Sequence, residues 1–154
     1  PTVRVVAGGA SRQESVALGL AALSDAVEYV LIQDAARPLV PAGLISAVLV
    51  ALFEGADAVV PVLPVLDTIR QVDGAGQVVG TPDRSRLRRV QTPQGFRLAL
   101  LRAAHAANPA GEVTDDAALV EAQGHPVRTV PGDEAAFKIT TPHDLRLAEL
   151  LVNR

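Results

Sequence analysis

The chain contains no cysteine, no methionine and no tryptophan, one tyrosine and three phenylalanines. Without cysteine, disulfides, thiolate metal sites and a thiolate nucleophile are all excluded. With so few aromatics, the core must be built from aliphatic side chains. No apolar run approaches the ~20 residues a membrane helix needs, and no secretory signal pattern is visible, so a cytoplasmic location is expected. Pro1 opens the chain without a methionine, and residues upstream are expected. There is no excess of positive charge: 14 Lys+Arg against 17 Asp+Glu give a net charge of −3. Nonspecific nucleic-acid surfaces are usually basic, so neither nucleic acid nor membrane is expected as a partner. His105, His125 and His143 lack paired metal-ligand spacing and read as surface or structural. Lysine is almost missing too. Lys138 is the only one among the 14 cations. An ammonium is a compact point charge with rotatable donors, suited to phosphate oxygens; the alternative is a chance surface lysine.

What is present is apolar and periodic. Apolar residues make up 49% of 154, which suits one globular domain with a sizeable core. Residues 3–7 read as a short strand, and Gly8-Gly9 as a turn. Ser11-Arg-Gln-Glu14 is a capping box opening a helix with Val16, Leu20 and Leu23 on one face. Tyr29–Ile32 is a strand. Pro41 opens a second helix whose buried face is Leu44, Ile45, Val48, Leu49 and Leu52, with Gly55 at its end. Residues 58–65 form a strand interrupted by Pro61 and Pro64.

Two weakly apolar runs, 67–72 and 77–81, flank Asp73-Gly-Ala-Gly76 and read as a hairpin. An isolated hairpin is marginal in water, so it should pack on something, for instance a second subunit. Residues 87–91 are a further strand, ending at Thr92-Pro-Gln-Gly-Phe96. Leu98–Ala107 is a helix stopped by Asn108-Pro109. Thr114 suits the N-cap of a helix closed by Gly124. Residues 127–130 and 136–139 are strands, the second carrying Lys138. Thr141-Pro142 opens a last helix that buries Leu145, Ala148 and Leu151. Strands alternating with helices indicate an α/β sheet.

Polar residues fall just past the apolar runs: Asp34 and Arg37, Asp67 and Thr68, and Thr92. In open α/β sheets, ligands sit beyond the carboxyl ends of parallel strands. If the strands are largely parallel, several of these groups converge on one rim. There is no Walker A loop, no Gly-x-Gly-x-x-Gly and no Gly-x-Ser-x-Gly. An acid among scattered Arg, Lys and Thr suits phosphate handling, where the protein mainly positions groups and neutralises charge. Each feature also has a plainer reading. For Asp34 it is a turn cap, with Arg37 in solvent. For Arg84, among Arg86, Arg88 and Arg89, it is a solvated basic face. For Gly8-Gly9 it is an ordinary turn, for Thr114 an N-cap alone, and for Ser15 no fixed direction.

Blocks in order along almost the whole chain resemble the methylerythritol phosphate cytidylyltransferase family. They are Gly8-Gly9-Ala-Ser-Arg12-Gln-Glu-Ser15-Val16, Asp34-Ala-Ala-Arg37-Pro38, Asp67-Thr68, Asp83-Arg84, Gln91-Thr92-Pro93-Gln94, Thr114-Asp115-Asp116-Ala117 and Phe137-Lys138-Ile139-Thr140. The resemblance implies a Rossmann-like, three-layer α/β nucleotidyltransferase sheet with a protruding β-hairpin arm over residues 67–84. It also implies one domain, residues 1–154, without the family's N-terminal Gly-rich phosphate loop. The implied reaction transfers CMP from CTP to 2-C-methyl-D-erythritol 4-phosphate, releasing pyrophosphate.

The residue roles implied are equally specific. Lys138 and Arg84 are catalytic, Arg84 acting on the partner subunit of a homodimer joined through the arm. Arg37, Asp67, Thr68, Thr92 and Thr114 bind the sugar-alcohol phosphate. Gly8, Gly9, Ala10, Arg12, Ser15 and Ala35 bind the nucleotide, and Asp34 lies near Mg²⁺. Gln33 stands where the family usually has His, and Ala10 where it commonly has an acid. Another polyol phosphate such as ribitol 5-phosphate, or a noncatalytic dimerisation fragment, are the alternative readings.

Overall fold

The computed structural model describes residues 3–108 and 113–153. Pro109, expected to help stop a helix, lies outside them. Five helices carry most of the helical structure: α1 (Arg12–Ala21), α2 (Ala42–Phe53), α3 (Leu98–Ala107), α4 (Asp116–Ala122) and α5 (Pro142–Val152). The strands are β1 (Tyr29–Ile32), β2 (Ala58–Pro64), β3 (Gln71–Val72), β4 (Val78–Gly80), β5 (Arg88–Val90), β6 (Gln94–Arg97) and β7 (Arg128–Pro131). No helix among the described residues is long and apolar enough to cross a membrane.

The central sheet is mixed rather than largely parallel. β2 pairs with β7 in parallel, whereas β5 and β6 both run antiparallel to β2, and β6 runs antiparallel to β1. β5 and β6 thus act as one interrupted return strand, broken at the cis Thr92–Pro93 bond. β1, β2 and β7 still point the same way, so the carboxyl ends of β1 and β2 share a rim. β6 lies in a stretch for which no element was expected, and Pro93 and Gly95 are turn residues in most contexts. Here Gly95 serves a close approach. A Cβ at that position would lie 2.5 Å from Val48 Cγ1, 2.9 Å from Leu52 Cδ1 and 3.0 Å from Leu31 Cδ2.

Alternation along β2 divides the core into two layers, as the strand's period of two requires. Ala58 and Val60 face a cluster with Leu20, Phe96, Leu101, Leu119 and Val120, drawn from α1, β6, α3 and α4. Val59 faces the opposite side, with Val48, Ala51 and Leu52 of α2 and Val130 of β7. Phe96, fully buried, contributes on the order of 1.5–3 kcal/mol by the usual transfer scale.

Local signals set most helix ends. Ser11 Oγ accepts from the Glu14 N–H at 3.1 Å, while Glu14 reaches back to the Ala10 N–H rather than to Ser11. Gly55 and Gly124 sit just past α2 and α4 with φ of +100° and +79°, the left-handed region that favours glycine. Thr141 and Asp144 form a reciprocal capping box with Pro142 at the first helical position. The backbone and side-chain donors of Thr140 and Thr141 hold the Asp144 carboxyl down at about 2.

Several expectations are corrected. Residues 3–7 form no strand; Val3 and Val5 are exposed and pair with no described strand. Residues 136–139 form no strand either: a short 3₁₀ turn, Glu134–Ala136, ends there, and Ile139 N–H bonds the Ala36 carbonyl instead. Asp115, not Thr114, caps α4, because its carboxylate reaches the Ala118 N–H at 3.0 Å. Ile45, Leu145 and Leu151 are exposed; on α5 only Ala148 is buried. The hairpin β3–β4 forms as expected, with its strands largely exposed.

The Gly95 contact yields a test. Gly95→Ala should destabilise the fold by about 1–3 kcal/mol, the usual cost of overpacking, because Val48 and Leu52 are themselves fully buried. Urea unfolding of the variant measures this; an unchanged midpoint would show that α2 can move away from β6.

Candidate active site

Asp34 lies two residues beyond β1, in the turn that Arg37 N–H closes on the Asp34 carbonyl at 2.9 Å. Its own N–H donates to Thr92 Oγ1 at 3.1 Å, which joins the rim of β1 to the break between β5 and β6. Its side chain is 15% exposed, so its charge is offset locally. Arg12 Nε lies 3.2 Å from Oδ1; Lys138 Nζ lies 3.2 Å and Arg37 Nε 3.9 Å from Oδ2. Burial alone would raise the Asp34 carboxyl. Hydrogen bonds from Lys138 and Arg12, with their charges, outweigh burial and hold it below the ordinary carboxylate value. Burial pulls the Arg37 guanidinium below its ordinary value, with Asp34 opposing. For Arg12, burial is outweighed by Asp116 and Asp34, and its value is raised.

These groups line a cleft of about 250 Å³ that also takes in Thr114 and Asp115. A larger hollow of about 1150 Å³ between α1 and α3 shares none of its lining residues. We place the chemistry in the smaller cleft, because the acid and the three cations converge there.

Two glutamines to which the sequence assigned no role of their own, the ends of the Gln91-Thr92-Pro93-Gln94 block, build the cleft walls. Gln91 is buried. Its Nε2 donates to the Asp133 and Ala136 carbonyls at 2.8 and 3.3 Å, and its Oε1 accepts from the Asp133 N–H at 3.0 Å. Arg37 Nη1 adds a 2.8 Å bond to the same Ala136 carbonyl. Lys138, on a segment without strand pairing, is thereby fixed two residues past a triply held turn. Gln94, also buried, donates to Asp115 Oδ2 at 2.8 Å and accepts from the Ala117 N–H at 3.3 Å, anchoring the start of α4. His105 is buried as well, with Nε2 3.0 Å from Asp116 Oδ1. The only sequence signal for the two glutamines was their place flanking Thr92-Pro93.

The structure brings together Asp34, Arg37, Arg12, Thr92, Thr114 and Lys138. Gly8, Gly9, Ala10 and Ser15 form a turn over the start of α1, where Ser15 Oγ accepts from the Gly9 N–H at 3.0 Å. A Cβ on Gly8 would lie 3.0 Å from that oxygen. Ala35 lines a neighbouring hollow with Gln33 and Pro38. Asp67, Thr68 and Arg84 are exposed and outside the cleft of their own chain; Arg84 Nη1 donates to the Leu66 carbonyl at the base of the arm. No cluster of three or more His, Asp or Glu able to hold a metal occurs among the described residues. The Asp34 carboxylate, beside cations able to take phosphate oxygens, does fit Mg²⁺, which takes one or two carboxylates and completes its shell with water and substrate phosphates.

The family profile described as "IspD: 2-C-methyl-D-erythritol 4-phosphate cytidylyltransferase" matches residues 1–154. The chain belongs to this family. A 2-C-methyl-D-erythritol 4-phosphate cytidylyltransferase of Nocardia farcinica is 61% identical over 153 residues, covering 99% of this chain and 65% of the relative. One from Frankia casuarinae is 55% identical over 152 residues, covering 99% and 57%. The chain therefore spans roughly three-fifths of the length of these curated relatives. The crystal structure of the Thermus thermophilus cytidylyltransferase superimposes with a TM-score of 0.87 at 48% identity, covering 97% of this chain and 72% of that one. At that likeness the Rossmann-like family fold is shared.

Gln91→Leu should cost about 1–3 kcal/mol of stability, because it strips partners from a buried N–H and two carbonyls. It should also lower activity, by releasing the segment that carries Lys138. Calorimetric melting and a turnover assay check both parts; normal activity in the variant would mean Lys138 is held elsewhere.

Proposed function

We propose that the protein transfers CMP from CTP to 2-C-methyl-D-erythritol 4-phosphate. The observation that carries this is the rim cleft, where one carboxylate is surrounded by Arg12, Arg37 and Lys138 in a chain of this family. In the reaction, a phosphate oxygen of the acceptor attacks the α-phosphorus of CTP. An oxygen–phosphorus bond forms, the bond to the β-phosphate's bridging oxygen breaks, and pyrophosphate leaves. Mg²⁺ held near Asp34 would neutralise phosphate charge.

This chain's residues do the rest. Lys138 is half exposed and its ammonium can turn from Asp34 to a phosphate oxygen, stabilising charge as it develops. Arg37, held against the Ala136 carbonyl, offers a fixed guanidinium edge for the acceptor's phosphate. The Thr92 and Thr114 hydroxyls orient the polyol. The Gly8 to Ser15 turn and Ala35 form the nucleoside side, where small residues allow close backbone approach. A cytoplasmic setting goes with this reading, since that is where CTP is available.

Assaying the intact protein with CTP, Mg²⁺ and a panel of polyol phosphates tests the reading. Release of pyrophosphate should depend on methylerythritol phosphate and on CTP over ATP, GTP and UTP. Lys138→Ala should lower kcat/KM by about a hundredfold or more, the loss typical of one preorganised charge-stabilising donor. Preference for ribitol 5-phosphate would move the acceptor assignment, and no turnover with any acceptor would overturn it.

We further propose that the arm joins a homodimer in which Arg84 serves the partner's cleft together with Asp67 and Thr68. Support comes from the arm's exposure: Leu66, Ile69, Val72, Val78 and Val79 are all exposed in the single chain, and a two-stranded hairpin has little stability of its own. Mixing inactive Arg84→Ala and Lys138→Ala subunits would give mixed dimers with one site intact. Activity should return to roughly a quarter of the native value if subunits exchange freely in a symmetric dimer. No recovery despite demonstrated mixed dimers would place Arg84 in its own subunit's chemistry, or in none.

A further inference from the structure

Asp116 is the least exposed charged side chain near the cleft, at 1%, yet it does not line it. It sits at the start of α4. Its Oδ1 lies 3.0 Å from His105 Nε2 on α3, and its Oδ2 2.8 Å from Arg12 Nη1 on α1. Arg12 then presents Nε to Asp34 Oδ1 at 3.2 Å, and Asp34 Oδ2 is left to Lys138 at 3.2 Å and Arg37 at 3.9 Å. Asp34 Oδ1 is bonded to Arg12 and Asp116 Oδ1 faces His105, Asp34 Oδ2 is shared by two cations, and Asp116 Oδ2 meets Arg12 as a close ion pair outside hydrogen-bonding geometry. Burying a carboxylate costs several kcal/mol before pairing, and α4 buries Ala117, Leu119 and Val120 beside it without that cost. The charge at Asp116 therefore calls for a reason beyond packing.

We propose that Asp116 is a positioning residue for the transfer reaction proposed above. Gripped by His105, it holds the Arg12 guanidinium so that a single nitrogen, Nε, reaches Asp34. The second oxygen of Asp34 then stays turned toward Lys138 and the cleft. A guanidinium is a rigid fork that prefers to bind both oxygens of one carboxylate. Released from Asp116, Arg12 closes on Asp34 and draws Oδ2 away from Lys138 and from the phosphates. Arg12 is thus a bracket between two acids, and its effect on nucleotide runs through Asp34.

The test compares the intact protein with Asp116→Asn, Arg12→Lys and the double variant. Asp116→Asn keeps the shape and removes the charge; Arg12→Lys keeps the charge, but one ammonium cannot present separate nitrogens to two acids. Each should lower kcat by about tenfold to a hundredfold, as expected for a misplaced reactive group, with KM for both substrates changed less than about threefold. The double variant should be no worse than about threefold below the weaker single, because coupled residues share one loss. By nuclear magnetic resonance, the Arg12 Nε–H, drawn fully onto Asp34, should exchange with water more slowly in Asp116→Asn.

A kcat within about twofold of native in Asp116→Asn, with only the melting temperature lowered, would reduce Asp116 to a stability brace and overturn the proposal. Unchanged Nε–H exchange, or losses that multiply in the double variant, would overturn it as well. Should Asp116→Asn fail to fold, native-like kcat in Arg12→Lys would be just as decisive. If the unaltered protein makes no product, the transfer reading fails, and the Nε–H exchange alone decides whether the bracket exists.

Discussion

A half-buried carboxylate, Asp34, is the constraint around which the site is organised. Placed past β1 at 15% exposure, it would be costly if unpaired. Arg37 comes from the same turn, Arg12 from α1 and Lys138 from the segment after β7. Thr92 meets the Asp34 N–H from the break in the return strand. Three other stretches of chain are thus tied to one acid. The same cations that satisfy it have the chemistry to take phosphate oxygens, and under the proposed reaction little would have to be reorganised beyond turning a lysine, the economy expected of a preorganised electrostatic site.

The mixed sheet makes that convergence possible. A fully parallel sheet would put only strand ends and helix starts on the rim. Inserting the β5/β6 return between β1 and β2 brings a strand break, Gln91 to Gln94, into the middle of the rim. Gln91 then reaches the Lys138 segment on one side, and Gln94 reaches α4 on the other. Close approach of α2, allowed by Gly95, keeps that return strand seated. The arm stands apart from this economy: its apolar side chains are exposed and its polar ones do not reach the cleft. Under the proposed homodimer, its contribution would come from contact with the partner subunit.

Much of this was readable from local chemistry. Ser11, Pro41 and Thr141-Pro142 announced helix starts, and Gly55 and Gly124 announced ends, because capping depends on residues within one turn of each other. The Asp34-Ala-Ala-Arg37-Pro38 turn and the scarcity of lysine pointed to Asp34, Arg37 and Lys138. Errors arose where tertiary context reversed a local preference. No local signal marked the strand at Gln94–Arg97, which forms because antiparallel pairing with β1 and β2 satisfies its backbone. Residues 136–139 looked like a strand but follow a 3₁₀ turn, because Gln91 and Arg37 claim the Ala136 carbonyl.

By itself, the sequence determined the number and kind of most elements, the alternation that splits the core across β2, and the acid-and-arginine turn after β1. These depend on periodicity and on neighbours a few residues away. Only the tertiary structure decided the antiparallel return, the burial of Asp116 and His105, and the roles of Gln91 and Gln94. Each of those rests on a bond between side chains or backbone far apart along the chain, such as Arg12 with Asp34 and Asp116, or Gln91 with Asp133. A carboxylate or an amide carries no local mark of the partner it will meet. Strand register and helix packing choose that partner, and they exist only once the chain has folded.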